Sequence, residues 1–245
     1  MPTQLSVNLN KIALIRNSRG RDFPSVVHFA HLALKAGAHG VTIHPRPDQR
    51  HARYADVAAL KAVVDAYPGS ELNVEGYPDR TFLDVVLAAK PQQCTLVPDE
   101  PGQLTSDHGW HIERDLHKLA PIVAELKAAG IRVSLFVDPD AEQIALAPAT
   151  GCDRVELYTE SFAHQHELGD FTFEFARFAE AAAAATQAGL GINAGHDLNL
   201  DNLGDFLVIP DILEVSIGHA LTVEALQYGF EATIARYVAI LKAAH

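Results

Sequence analysis

Gly40-Val41-Thr42-Ile43-His44 is a short apolar run that stops on a titratable side chain. Four other runs end the same way: Leu72-Asn-Val-Glu75, Arg154-Val-Glu156, Ile192-Asn-Ala-Gly-His196 and Val215-Ser-Ile-Gly-His219. Buried strands that each deliver an acid or base at the C-terminal end are how a parallel α/β barrel builds a catalytic mouth. The repetition therefore predicts a (β/α)8 TIM barrel.

Working outward, short β-type runs alternate with longer helical patterns along the whole chain. The strands fall near 5–9, 40–43, 71–75, 93–97, 132–136, 153–157, 190–193 and 213–217. The helices fall near 25–37, 56–66, 79–89, 114–129, 140–147, 171–188, 199–206 and 222–243. Eight such units imply a parallel sheet closed on itself. Runs such as Arg132-Val-Ser-Leu-Phe-Val137 are taken to lack polar alternation, as burial on both faces would require. Gly37, Gly130 and Gly189 close helical runs, and Pro24, Pro78 and Pro121 fall at or near helix starts. The longest irregular segment, 98–113, follows the fourth strand; a loop of that length in a compact domain is often functional. An open doubly wound sheet is the runner-up, but no Gly-x-Gly-x-x-Gly follows the first strand.

Composition narrows the class. The chain has 245 residues, close to the ~250 of one eight-fold barrel, and no Ser/Gly/Pro-rich linker divides it. A single domain spanning 1–245 is the expectation. A hydrophobic share of 48% suffices for a large core, and a formal net charge of -12 argues against a nucleic-acid partner. Cys94 and Cys152 fall in or beside strands, as buried, reduced thiols do. No basic region precedes a long apolar run, and no apolar stretch approaches the ~20 residues of a membrane span. A cytoplasmic enzyme without membrane contact is the expectation.

The chemistry-bearing residues cluster. His44-Pro-Arg46-Pro-Asp-Gln-Arg50-His51 packs two imidazoles and two guanidiniums into one strand exit. Arginine offers a rigid fork that matches phosphate or carboxylate, and histidine moves protons near neutrality. A solvated basic turn is the bland alternative. Glu75 and Glu156 interrupt apolar strands, where desolvation raises a carboxyl toward the range of a general base; a salt-bridged structural group is the competing reading. Asp138 is a weaker candidate of the same kind. Gly195-His196 and Gly218-His219 follow the last two strands, where such barrels commonly hold a phosphate; two ordinary tight turns would read alike. Asn8, Asn10, Arg16, Arg19 and Arg21 form a second phosphate-friendly patch at the first strand. His28, His31 and His117 lie on helices as surface groups. His44, His196 and His219 could converge on zinc, but no His-Glu-x-x-His or paired-Cys spacing is present. No metal is expected.

These residues resemble one family, the pyridoxine 5′-phosphate synthases. The resemblance rests on Val7-Asn8-Leu-Asn-x-Ile-Ala-x-Ile-Arg16-Asn-x-Arg19-Gly20 and Ala36-Gly-Ala-x-Gly-Val-Thr-Ile-His44-x-Arg46-x-Asp-x-Arg50-His51. It continues through Leu72-Asn-x-Glu75, Leu96-Val-Pro-(x)6-Thr105, Val133-Ser-Leu-Phe-x-Asp138, Val155-Glu156-Leu-Tyr-Thr159, Asn193-Ala-Gly-His196 and Ser216-Ile-Gly218-His219-Ala220. It implies a barrel enzyme that condenses 1-deoxy-D-xylulose 5-phosphate with 3-amino-2-oxopropyl phosphate. The products are pyridoxine 5′-phosphate, phosphate and water. It implies His44 and Glu75 as proton acceptors, His196 as proton donor and Glu156 as stabiliser of charged transition states. Asn8, Arg19, Gly218 and His219 would hold the amino-ketone phosphate; Arg46, His51 and Thr105 the pentulose phosphate. The family implies no cofactor and a homo-octamer.

Two departures stand out. Many members read Asn-x-Asp-His after the first strand, where this chain reads Asn8-Leu-Asn10-Lys11. Asn10 keeps a hydrogen-bonding group without the charge, and Lys11 keeps a donor that cannot accept while protonated. Asp197 replaces a glycine often found after the second catalytic histidine, adding negative charge beside a phosphate contact. Outside the resemblance, a phosphate-binding isomerase or aldolase and a non-catalytic sugar-phosphate binding barrel stay open. A Schiff-base aldolase would need a strand-end lysine, and Lys11 is the one that appears.

Overall fold

The computed structural model describes residues 2–99 and 106–244. Eight parallel strands close in sequence order, β1 to β8, with β1 pairing both β2 and β8. They are β1 (Gln4–Asn8), β2 (Gly40–Ile43), β3 (Glu71–Gly76), β4 (Gln93–Leu96), β5 (Arg132–Val137), β6 (Arg154–Tyr158), β7 (Gly191–Gly195) and β8 (Ile212–Ile217). Each lies within about two residues of its place in the sequence reading, so the TIM barrel stands.

The helices are more numerous than the eight read from sequence. They are α1 (Asn10–Asn17), α2 (Val26–Lys35), α3 (Tyr54–Asp65), α4 (Arg80–Ala89), α5 (Ile112–Ala128), α6 (Ala141–Leu146), α7 (Glu160–Leu168), α8 (Thr172–Gln187), α9 (Leu203–Phe206), α10 (His219–Tyr228) and α11 (Phe230–Ala243). Three of them, α1, α7 and α10, start within two residues of the end of β1, β6 and β8, at the catalytic end of the barrel. Sequence periodicity missed α1 because two of its large apolar residues, Leu14 and Ile15, face outward while Arg16 is buried. The single helix expected over 222–243 is two, because Gly229 (φ 86°, ψ 147°) turns the chain between them. The expected helix over 199–206 shrinks to α9. Asn199 and Asn202 bond each other's backbone N–H groups and offer that segment another partner. Pro121 lies inside α5 rather than at its start, so that helix forgoes one ladder bond.

The strands do alternate, contrary to the sequence reading. Thr95 on β4 bonds Glu156 on β6, and Gln93 on β4 bonds Glu214 on β8. Strands that are not neighbours can meet only across the barrel interior, so these positions point to the axis. Ser6, Thr42, Asn73, Ser134, Asn193 and Ser216 share their parity and are likewise buried. The opposite parity carries Val7, Val41, Leu72, Val133, Val155 and Val215, all buried in the layer beneath the helices. The outer layer carries the hydrophobic stabilisation, about 1.5–3 kcal/mol per buried aliphatic side chain. The interior, filled in most barrels by branched apolar residues, is polar here, and that places carboxylates below the mouth.

Candidate active site

His44 leaves β2 at the mouth and is 5% exposed. Its backbone N–H donates to Asn10 Oδ1 (2.9 Å), and its Nδ1 stands 4.0 Å from Glu75 Oε2. Burial, then Arg46, His51 and Arg50, hold its imidazole well below the ordinary value of 6.5. His44 is therefore neutral and able to accept a proton. Glu75 is pushed up to about 8, first by burial, then by Glu214 and Asp99, against the pull of Arg46. A base with a midpoint near working pH both takes and returns protons.

The segment after His44 gathers groups that can cradle an anion. Arg46 is buried and ion-paired with Asp99, which also accepts from Ser106 Oγ (2.6 Å). His51 Nδ1 accepts the Ala52 N–H at 2.8 Å, which leaves Nε2 as its donor nitrogen. Burial, Arg46 and Arg50 lower its pKa to about 4, so it offers a neutral N–H. The cradle is held from α1. Arg16 grips both carboxylate oxygens of Asp56 (2.6 and 2.9 Å) and donates to His51 O (3.1 Å). Asn17 Nδ2 lies within 2.7–3.2 Å of the carbonyls of Gln49, Arg50 and His51. Arg16 is thus not part of a phosphate patch: it is 1% exposed and braces the loop. Arg19 and Arg21 lie on the exposed turn after α1.

At the opposite side of the mouth, Asn8 ends β1 and its Oδ1 accepts the Asn10 N–H (3.0 Å). Asn8 packs against Gly218, where an added Cβ would fall 2.8 Å from the Asn8 Cβ. Gly218 precedes α10, and His219 is its exposed first residue. The free N–H groups and positive dipole end of a helix start suit a phosphate. His196 follows β7, with its ring edge-on to Tyr158 (centroids 4.9 Å) and its Nδ1 2.7 Å from Asp197 Oδ2. Asp197 is held below the usual carboxylate value by His196 first; His219 and Lys11 also act on it. Lys11 also acts on His51, so the charge of this residue is felt on both sides of the mouth.

Glu156 lies deeper, 3% exposed, with Oε2 3.2 Å from Thr95 Oγ1. Burial, Glu75 and Glu214 push it well above the carboxylate range. Beneath it, Arg154 reaches Asn193 (2.9 Å) and Glu214 (3.4 Å), and Arg132 pairs with Glu71. Asp138 accepts the Gly109 N–H (3.1 Å) and ties down the segment entering α5. Thr105 lies outside the described residues. His28 and His117 are exposed, and His31 is half-buried against Tyr67 Oη (3.0 Å). Among the described residues no three His, Cys, Asp or Glu side chains group as metal ligands, so His44, His196 and His219 do not converge. Burial pushes both thiols up.

Sequence reasoning missed Asp99, Asn73, Thr95, Ser216 and Tyr158. The signal for the three strand residues Asn73, Thr95 and Ser216 was present as polar residues at every second strand position. Asp99 had no local pattern to mark it.

Known proteins resemble this chain over nearly its whole length. The family model described as "Pyridoxal phosphate biosynthesis protein PdxJ" matches residues 5–243. A protein of Xanthomonas oryzae pv. oryzae (strain PXO99A) named pyridoxine 5′-phosphate synthase is 54% identical over 250 residues, covering 99% of this chain and 98% of its own. A protein of the same name from Brucella abortus (strain S19) is 51% identical over 244 residues, covering 98% and 99%. Solved structures share the fold alone. TrpF from Jonesia denitrificans has a TM-score of 0.63 at 16% identity, covering 99% of this chain and 98% of its own. KGPDC from Streptococcus mutans has 0.65 at 10%, covering 100% and 99%.

Proposed function

The chain belongs to the PdxJ family of pyridoxal phosphate biosynthesis proteins, and from that premise we infer that it is a pyridoxine 5′-phosphate synthase. It condenses 1-deoxy-D-xylulose 5-phosphate with 3-amino-2-oxopropyl phosphate and releases pyridoxine 5′-phosphate, phosphate and water. The observation that carries the reading is the neutral His44 set 4.0 Å from a Glu75 poised at about 8, between two anion-binding strand ends. The substrate amine attacks the partner ketone itself, so no catalytic lysine is required. What remains is a run of proton transfers, dehydrations, one phosphate elimination and a ring closure. Each positioned acid or base contributes typically ~10²–10⁴ in rate.

We assign His44 and Glu75 as proton acceptors, His196 as proton donor and Glu156 as the buried group that stabilises developing charge. Arg46 and His51, with Thr105, receive the pentulose phosphate; Asn10 and Lys11 border the same pocket. Asn8, Arg19, Gly218 and His219 receive the amino-ketone phosphate, and the start of α10 supports that placement. Asp197 acts on His196. The catalytic unit is one domain spanning the chain.

Incubation with both substrates, with product read by absorbance or mass, tests the function. His44→Asn, Glu75→Gln and His196→Asn should each abolish product while circular dichroism stays unchanged. Near wild-type turnover in all three would overturn the assignment.

A homo-octamer and a cytoplasmic location complete the proposal. The exposed Leu14, Ile15 and Phe23, and Leu226 at 82% exposure, supply apolar surface for contacts between copies. Sedimentation velocity reads the assembly, and cell fractionation the location. Among the described residues no helix is long and apolar enough to cross a membrane.

A further inference from the structure

The geometry points to Glu156 resting as a neutral carboxylic acid at the head of a one-way hydrogen-bond chain that runs through Thr95 and Asn73 and ends on Glu75. The inference deepens the synthase reading and rests on it for its kinetic consequence.

Thr95 decides the direction. Its Oγ1 lies 3.1 Å from Asn73 Oδ1 and 3.2 Å from Glu156 Oε2. A hydroxyl has one proton to give, and an amide oxygen only accepts. If Glu156 were ionised, both neighbours would be acceptors and one contact would carry no hydrogen. Asn73 is itself oriented, because its Nδ2 faces Glu75 Oε1 at 3.5 Å and leaves its oxygen for Thr95. All three contacts become hydrogen bonds in one arrangement. Glu156 O–H donates to Thr95, Thr95 O–H donates to Asn73, and Asn73 N–H donates to Glu75.

The surroundings favour that state. Glu156 faces Glu75 on β3, Thr95 on β4 and Glu214 on β8. The uncharged Asn193 and Gly195 adjoin it on β7, and Phe136 on β5. Among the described residues no cation stands out as acting on it, and Arg154 turns down to Asn193 and Glu214. An isolated buried carboxylate is costly, and such a group keeps its proton instead. Glu75 is different. It receives the Asn73 N–H and a hydrogen bond from Ser216, and Arg46 pulls against Glu214 and Asp99. His44 stands at 4.0 Å on its mouth side. Two neighbouring carboxyls with unlike surroundings divide into an acid and a base. Glu75 ionises first; Glu156 keeps its proton and polarises the chain toward the anion. Thr95 and Asn73 are positioning residues that act through Glu75.

Infrared spectroscopy of the substrate-free protein, above the Glu75 midpoint, reads the proton directly. The wild type should show a protonated-carboxyl C=O band that shifts in D2O and is missing from Glu156→Gln. In turnover, Thr95→Val should move the acidic limb of the kcat/KM profile up by about one pH unit, the worth of one hydrogen bond. Thr95→Ser should restore it. A spectrum in which Glu156→Gln removes no band overturns the inference, as does a Thr95→Val profile that overlays the wild type. A wild type that makes no product refutes the synthase reading, and the infrared comparison still decides the protonation state.

Discussion

His196 aims its Nδ1 at Asp197 Oδ2, 2.7 Å away, and both residues hold left-handed backbone, with φ of 92° and 59°. Non-glycine residues take such angles at a cost that the surroundings must offset. Here the Thr159 N–H donates to the Gly195 carbonyl, its Oγ1 to the His196 carbonyl, and Asn202 Nδ2 donates to Asp197 O at 3.2 Å. The turn is clamped so that the carboxylate takes the Nδ1 proton and Nε2 faces away from it. Asp197, which the sequence sets beside a phosphate contact, also engages the histidine.

Asp197→Asn keeps an acceptor but removes the charge that lies against the His196 ring. The expected outcome is a kcat lowered by about tenfold, the equivalent of one charge-assisted hydrogen bond at 1.4 kcal/mol, with KM for either substrate little changed. Steady-state kinetics with each substrate varied in turn checks it. A loss confined to KM would place Asp197 on a substrate instead.

The loop that carries Arg46 and His51 depends on α1. Asn17→Ala removes the amide that gathers three successive carbonyls. KM for 1-deoxy-D-xylulose 5-phosphate should rise about five- to tenfold, for a net cost of about 1 kcal/mol, the worth of one such bond, with KM for the amino-ketone unchanged. Arg16→Met strands Asp56 beside the loop and should cost about 3–5 kcal/mol of stability, read by urea denaturation.

How much of this was legible in the sequence divides by physical cause. Strand ends were legible because a titratable residue closing an apolar run is a local pattern. That is why His44, Glu75, His196 and His219 emerge at or beside strand ends, while Glu156 falls in the middle of β6 and lies deeper. The polar axis was not, because Arg132-Val-Ser-Leu-Phe-Val137 was read for the apolar residues it contains and not for their parity. Asp99 and Arg16 were not, because each acquires its role from a partner 53 or 40 residues away. The helix α1 was not, because Leu14 and Ile15 face outward.

Gly195→Ala tests how closely Glu156 is packed. An added Cβ there would fall 2.5 Å from Glu156 Oε1 and 3.4 Å from Ser216 Cβ. The carboxyl must move off Thr95 to admit it. We expect kcat to fall by at least about tenfold, for a group displaced by an ångström or so, while far-ultraviolet circular dichroism stays that of the wild type. Wild-type turnover would show that Glu156 can shift without consequence.

The buried carboxyls and imidazoles give stability a definite dependence on pH. His51 titrates at 6.5 unfolded and at about 4 folded, and His44 is lowered in the same direction. Between those values the unfolded chain binds more protons, so these groups make stability rise with pH up to 6.5. Glu75 has the opposite sign. Its ordinary value is 4.5 and its folded value about 8, so the folded chain binds the extra proton and stability falls as pH rises through that window. From 4.5 to 6.5 the two effects oppose each other. From 6.5 to about 8 the histidines drop out and Glu75 acts together with the still-protonated Glu156, at about 1.4 kcal/mol per pH unit for each proton held. The unfolding midpoint in urea should therefore decline over that upper window. In Glu75→Gln, which has no proton to lose, the decline should become shallower by about 1.4 kcal/mol per pH unit over the same range, and an unchanged slope would locate the titrating group elsewhere.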